Sequence, residues 1–167
     1  MNELQFKKIY SDFKINVERI SFYFEKNKEK SNELNQDIWV RIWKSLETFN
    51  NECSLKTWIY RVANNTAINH AIKDKNSKSL IAVEDVETST DDPQKSLENK
   101  QSIELLNKVI FTLKPLDREL VLLYLEGSTQ EEIEAITGLS KSNISTKISR
   151  LKNILKSIML RKEYSSG

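Results

Sequence analysis

Apolar residues return every three or four positions through most of this chain, which is the spacing of one face of an α-helix. Phe6, Ile9, Tyr10, Phe13, Val17, Ile20 and Phe24 mark a first helix. Leu34, Ile38, Ile42 and Leu46 mark a second, from about Ser31 to Leu46. Leu55, Ile59, Val62, Ile68 and Ile72 mark a third, from about Leu55 to Lys73. No segment alternates with the period of two that a half-buried strand needs. Periodicity fades over residues 74–100, which contain Asp91-Asp92-Pro93 and several Ser and Thr. It resumes over about Ser96 to Leu113. Lys114-Pro115 then breaks the chain, because the residue before proline avoids helical dihedrals. Proline suits the first turn of the next helix, which holds Leu116, Leu120, Leu123 and Tyr124.

The segment Thr129 to Leu160 is the most specific pattern. Thr129 and Glu132 have the spacing of a capping box. Ile133 and Ile136 share one side of the short helix they open, and Gly138 can supply the left-handed residue that ends it. Ser140 is a good N-cap for a second helix, in which Ile144, Ile148, Leu151, Leu155 and Ile158 form a stripe. Off the stripe lie Lys141, Asn143, Thr146, Lys147, Arg150 and Asn153. From Leu139 to Arg161 there are six Lys or Arg and no acid. A solvated helix mixes its charges, so this bias points to a polyanion. The pattern predicts a helix-turn-helix whose second helix enters the DNA major groove.

Charge divides the chain. Residues 1–73 carry twelve Lys/Arg against nine Asp/Glu, residues 74–100 four against seven, and residues 101–167 ten against eight. The expected fold is all-α: two small helical domains joined by a flexible acidic linker, the second a four-helix unit with the helix-turn-helix. A linker of this length is unusual inside one compact domain. Three Gly and two Pro in 167 residues suit long helices. The lone Cys53 allows no internal disulfide and points to a reducing compartment. With no long apolar run and no signal-peptide pattern, a cytoplasmic protein without membrane insertion is expected. No phosphate loop, nucleophile elbow, metal cluster or paired-carboxylate motif appears, so no enzyme, cofactor or small-molecule substrate is expected. His70 has no Cys or His near it that would make a metal site.

Two stretches carry a family resemblance. NQDIWVRIWKSLETF followed by SLKTWIYRVANNTAINHAIK resembles region 2 of bacterial sigma factors, with Trp58 to Asn65 its most specific part. LKPLDRELVLLYLEGSTQEEIEAITGLSKSNISTKISRLKNIL resembles region 4. Their order and the short overall form are similar to the extracytoplasmic-function (ECF) group of the sigma-70 family. The resemblance implies region 2 over 1–75, a linker over 76–100 and region 4 over 101–162. It implies a non-catalytic subunit that binds RNA polymerase core enzyme and promoter DNA. Region 2 would open the −10 element, region 4 would read the −35 element, and the linker would run near the path of nascent RNA. An anti-sigma factor is a further implied partner.

The residue types fit those roles. Gln36, Asp37, Arg41 and Trp43 are candidates for core-polymerase binding. Trp39 and Trp43, one turn apart, suit either a protein interface or the domain core. Strand opening needs cations and aromatic faces on which a base can stack. Lys56, Trp58, Tyr60, Arg61 and Asn64 supply these, Thr57 lies among them, and Asn50, Asn51 and Glu52 in the preceding loop can reach a base edge. Trp58 is equally compatible with a core position, and Asn65 with bracing the helix. Cys53 in that loop reads as an incidental small residue or a redox group. For the −35 element the candidates are Lys141, Ser142, Asn143, Thr146, Lys147 and Arg150. Arg118, by family position, would meet the DNA backbone. Glu134 stands where a small alanine is usual, so that position is exposed or pairs with a cation. Asn35 and Glu33 also depart from the family pattern. The competing readings are a helix-turn-helix regulator acting without being a polymerase subunit, and a polymerase-binding inhibitor.

Overall fold

The computed structural model describes residues 2–77 and 95–165, and all regular structure among them is helical. The elements are α1 (Glu3–Phe24), α2 (Lys28–Ser45), a 3₁₀ turn at Leu46–Thr48, α3 (Leu55–Ser77), α4 (Lys95–Thr112), α5 (Pro115–Leu125), α6 (Gln130–Thr137) and α7 (Lys141–Ser165). The linker expected over 76–100 lies mostly outside the described residues, but its last part is the start of α4.

Caps explain the boundaries. Asn2 opens α1 by accepting from the Leu4 amide at 3.2 Å. Asn27 opens α2 by accepting from the Lys30 amide at 3.0 Å, which starts the helix three residues before the Ser31 that periodicity suggests. The Thr129–Glu132 capping box forms as expected, with the Glu132 amide 3.1 Å from Thr129 Oγ1 and the Thr129 amide 2.9 Å from Glu132 Oε2. Gly138 ends α6 in the left-handed region at φ 74°. A Cβ there would touch nothing within 4 Å, so only the backbone resists substitution. Gly138→Ala is therefore expected to lower unfolding free energy by about 1–2 kcal/mol, read from a urea midpoint shift.

Helices α1–α3 enclose Val17, Ile20, Phe24, Leu34, Ile38, Ile42, Ile59, Ala63 and Ala67. Helices α4–α7 enclose Ile110, Leu120, Leu123, Ile133, Ile144 and Leu151. The two units expected from sequence are seated on each other: α3 lies against α5 and α6, and α1 against α4. Their buried apolar side chains merge into one cluster.

Arg118 sits at this seam. It is 7% exposed and donates to the carbonyl oxygens of Tyr23 (2.9 Å), Phe111 (3.0 Å) and Leu113 (2.9 Å). Its guanidinium also lies over the rings of Phe24 and Phe111. The expectation that Arg118 meets the DNA backbone is corrected here. A side chain this buried caps the C-terminal ends of α1 and α4, where the helix dipoles favour a cation.

The neighbouring Glu119 is 6% exposed, and burial pushes its carboxyl up to about 7. Its proton leaves the unfolded chain near the ordinary Glu value of about 4.3 but stays on the folded chain to about 7. Within that window the folded state binds more protons, so stability falls as pH rises. Glu119→Gln should flatten that slope and stabilise the protein at pH 8 by roughly 2–3 kcal/mol, read from urea unfolding across pH.

Candidate nucleic-acid interface

The helix-turn-helix is built on Ile144, fully buried at the start of α7, and on Ile133 and Ile136 of α6. Ser140 caps α7 by accepting from the Asn143 amide at 3.2 Å. That fixes the outward face of the helix: Lys141, Ser142, Asn143, Thr146 and Arg150 are exposed and Lys147 is half-buried. The side chains of Gln130 and Ser145 are hydrogen-bonded across the turn.

Each candidate cation on this face has an acidic neighbour. Lys141 Nζ is 3.0 Å from Glu131 Oε1. The Glu131 carboxylate is held below the usual range by its own backbone amide and then by Lys141, and Lys141 is raised by Glu131. Glu134 is half-exposed, so its carboxylate keeps contact with water, and its charge adds a smaller upward push on Lys141. Lys147 Nζ and Arg150 Nη2 each approach Asp117 of α5 to 3.8 Å. Both pairs are long, and although Asp117 is largely covered the cations reach solvent, so each pair stabilises by about 0–1 kcal/mol and a phosphate can take the cations. Asp117 is a residue the sequence did not mark. It lies on another helix, thirty positions from Lys147, and no local pattern connects the two.

The proposed polymerase-facing residues lie together on α2. Gln36, Asp37 and Arg41 are exposed, with Arg41 Nε 3.3 Å from Asp37 Oδ2. The two tryptophans separate clearly. Trp39 is buried, tilted on Tyr10 at 4.7 Å, and its indole N–H has no partner. Trp43 is 43% exposed and stands edge-on to Phe6 at 4.7 Å. The side chain of Asn35 is half-buried, with its amide nitrogen unpartnered, whereas Glu33 is exposed.

Asn50, Asn51 and Glu52 form an exposed turn before α3. Asn51 adopts φ 61°, a left-handed conformation that asparagine tolerates better than most residues. The Glu52 amide donates to Asn50 Oδ1 at 3.3 Å. Trp58 is half-buried with its ring 5.3 Å from that of Phe49. Tyr60 and Asn64 are each 3% exposed, and Thr57 is also buried. The Tyr60 hydroxyl donates to Glu126 Oε2 at 2.8 Å and accepts from Asn16 Nδ2 at 2.7 Å. Burial, then the Glu126 carboxylate, raise this phenol, so it stays neutral. In this arrangement neither Tyr60 nor Asn64 offers a surface to a base.

Lys56 and Arg61 are exposed but partnered across the seam. Lys56 Nζ is 3.1 Å from Glu132 Oε1, and Arg61 Nε donates to the Ala135 carbonyl at 2.6 Å. Arg61 Nη1 also lies 3.6 Å from Cys53 Sγ. The pairings of Glu126 with Tyr60 and of Glu132 with Lys56, like those of Asp117, have no local signal, because the partners lie 66 and 76 positions away. His70, bland in sequence, places Nε2 2.7 Å from Oε2 of the buried Glu25, joining α3 to the end of α1. Among the described residues no cluster of His, Cys, Asp and Glu could hold a metal ion, and no helix is long and apolar enough to cross a membrane.

Residues 9–76 match the family described as Sigma-70 region 2, and residues 103–155 match Sigma-70, region 4. RNA polymerase sigma factor YlaC of Bacillus subtilis is 29% identical over 137 residues, covering 80% of this chain and 79% of its own. The ECF RNA polymerase sigma-E factor of Escherichia coli is 25% identical over 131 residues, covering 72% and 69%. The solved sigma factor RpoE of Bartonella quintana, in complex with the anti-sigma factor NepR, superposes with a TM-score of 0.72. It is 18% identical over 93% of this chain and 96% of that one, a likeness of fold.

Proposed function

Because the chain belongs to the sigma-70 family, in its extracytoplasmic-function group, we propose that it binds RNA polymerase core enzyme and directs promoter-specific transcription initiation. The observation that carries this reading is the pair of matches, region 2 before region 4, joined to an outward basic face on α7. A regulator acting without polymerase would need a sensor or dimerisation unit in its first half. That half matches region 2 instead, so the alternative is not favoured.

Residues 1–75 then form the unit that docks on the polymerase through Gln36, Asp37, Arg41 and Trp43. Tryptophan and arginine, both exposed here, are residue types enriched at the centres of protein interfaces. The same unit opens the −10 element with Asn50, Asn51, Glu52, Lys56, Trp58 and Arg61, and Tyr60 and Asn64, buried in this arrangement, join them only once they are uncovered. No acid–base chemistry is needed. Unstacking a base costs a few kcal/mol, and stacking on an aromatic side chain returns about 1–3 kcal/mol. Residues 101–162 form the unit that reads the −35 element through Lys141, Ser142, Asn143, Thr146, Lys147 and Arg150, with Lys and Arg favouring guanine edges and Asn adenine edges. Residues 76–100 join the two. The role is non-catalytic and exercised in the cytoplasm, where the polymerase is.

RpoE was solved with an anti-sigma factor, and we extend that class of partner to this chain. The groove lined by Val121, Tyr124, Leu125, Leu155 and Leu160 is apolar and rimmed by Lys152 and Lys156. It suits an amphipathic helix with acidic flanks. Overexpression followed by mapping of transcript 5′ ends tests the function. Two short shared elements at constant spacing upstream of the induced starts are expected. Induced transcripts without shared elements would contradict it.

A further inference from the structure

The sequence of α7 shows cations and no acid from Leu139 to Arg161, but the fold brings an acid to them from another helix. Lys147 and Arg150 stand three positions apart on α7 and so share one face. One carboxylate lies between them: Asp117 Oδ1 is 3.8 Å from Lys147 Nζ, and Asp117 Oδ2 is 3.8 Å from Arg150 Nη2. Each oxygen therefore faces a different cation. Asp117 sits in the first turn of α5, where an acid complements the helix dipole. The residues that follow it, Arg118 to Leu123, are all buried, so the backbone that carries Asp117 is fixed. Its side chain is 16% exposed, against 69% for Glu131, the acid that meets Lys141. Glu131 can swing into water when DNA arrives. Asp117 cannot, so its charge stays at the recognition face whatever the two cations touch.

The geometry points to Asp117 as a specificity-determining residue: it holds down the affinity of α7 for DNA of any sequence while leaving the reading of base edges nearly untouched. This rests on the reading of α7 as the −35 face. Binding to DNA of any sequence is driven by cations that neutralise phosphates and release counterions. Two cations with a carboxylate between them carry less positive charge than the two alone, and so neutralise about one phosphate fewer. A phosphate drawn to Lys147 or Arg150 is also brought close to the Asp117 oxygens, and like charges repel. A base edge presents neutral acceptors, such as guanine O6 and N7, and meets no such repulsion. Nor does it have to displace Asp117. An arginine carries several N–H donors and a lysine ammonium more than one, so donors remain for the groove while the carboxylate is still approached. Competing sequences far outnumber promoters, so a face that is penalised on phosphate and not on base edges leaves wrong sites sooner than right ones.

The test uses the full chain with Asp117→Asn, which keeps the shape of the side chain and removes its charge. Asp117→Glu keeps the charge, and Asp12→Asn removes an exposed acid from α1 as a control for net charge. Circular dichroism checks that each variant is folded. Fluorescence anisotropy with a labelled duplex of random sequence, over a salt series and without polymerase, reads affinity and its salt dependence. In Asp117→Asn the log–log slope should grow steeper by about 0.9, a gain of about fivefold at roughly 0.15 M salt. Asp117→Glu and Asp12→Asn should stay near wild type, and adding Lys147→Ala/Arg150→Ala should cancel the gain. With polymerase present, wild type should prefer a duplex carrying the mapped upstream elements over one with the −35 element scrambled. That preference should fall by a similar factor in Asp117→Asn. Unchanged or weaker binding to the random duplex, an equal gain in Asp12→Asn, a gain that survives the loss of Lys147 and Arg150, or an equal gain on both promoter duplexes would overturn the inference and leave α7 as the reader. If scrambling the −35 element does not weaken wild-type binding at all, the reading of α7 itself fails, and the inference with it.

Discussion

Arg118→Met is expected to lower the unfolding free energy by about 3–5 kcal/mol, the largest loss for any single polar side chain at the seam. The substitution keeps an unbranched apolar stem but removes donors to three carbonyl oxygens, those of Tyr23, Phe111 and Leu113. Each stranded acceptor costs about 1–3 kcal/mol where water cannot reach it. One effect opposes this. The guanidinium is buried, its Nε lacks a partner, and burial lowers its pKa, so removing the charge recovers some desolvation energy. That recovery counts once, whereas three acceptors and two helix ends lose their cation, so the loss dominates. Urea unfolding followed by circular dichroism checks it. A midpoint shift worth less than about 1 kcal/mol would show that water fills the site and that Arg118 is not the joint.

The second large effect is functional. Lys147→Ala/Arg150→Ala should leave the fold intact, because Arg150 is exposed, Lys147 is only half-buried and their pairs with Asp117 are long. Promoter-dependent transcript should fall more than about tenfold. Each good base or phosphate interaction is worth about 1–3 kcal/mol, and about 1.4 kcal/mol is already tenfold. The salt dependence of promoter binding should also weaken, its log–log slope falling by roughly 0.9 for each phosphate that the variant no longer neutralises. Filter binding over a salt series with polymerase present reads both quantities. Full transcription with an unchanged slope would mean that α7 is not the −35 reader.

Local signals found the helices because they are local in physics too. The Thr129–Glu132 box, Gly138 and Ser140 act over four residues, and all three appear where the sequence puts them. The start of α2 is missed by three residues because Asn27 caps a polar first turn, Lys-Glu-Lys-Ser, that carries no apolar stripe. Helix α3 shows the deeper limit. Of the apolar stripe that periodicity predicts, Ile59 and Ile68 are buried, Leu55 and Val62 are half-buried, and Ile72 is exposed instead. Thr57, Tyr60, Asn64 and Thr66 are buried as well. One-face patterning identifies a single partner, and α3 has a second, in α5 and α6, more than fifty residues further on. Polar residues that look like an open DNA face are, in this arrangement, also a seam. The same distance hides the partners of Asp117, Glu126 and Glu132 on other helices, although the capping role of Glu132 is local and visible. The tryptophan pair divides for a similar reason: Tyr10 and Phe6 of α1 cover Trp39 and leave Trp43 half open.

The region 4 match carries a basic face on α7, and the region 2 match carries cations and aromatic side chains on α3. The most direct measurement is run-off transcription from a template carrying the mapped upstream elements, using purified core RNA polymerase with and without this protein. A discrete transcript that appears only when the protein is present, and is abolished when either element is scrambled, is the predicted result. The same transcript from core alone, or none from core plus protein at saturation, would contradict the assignment.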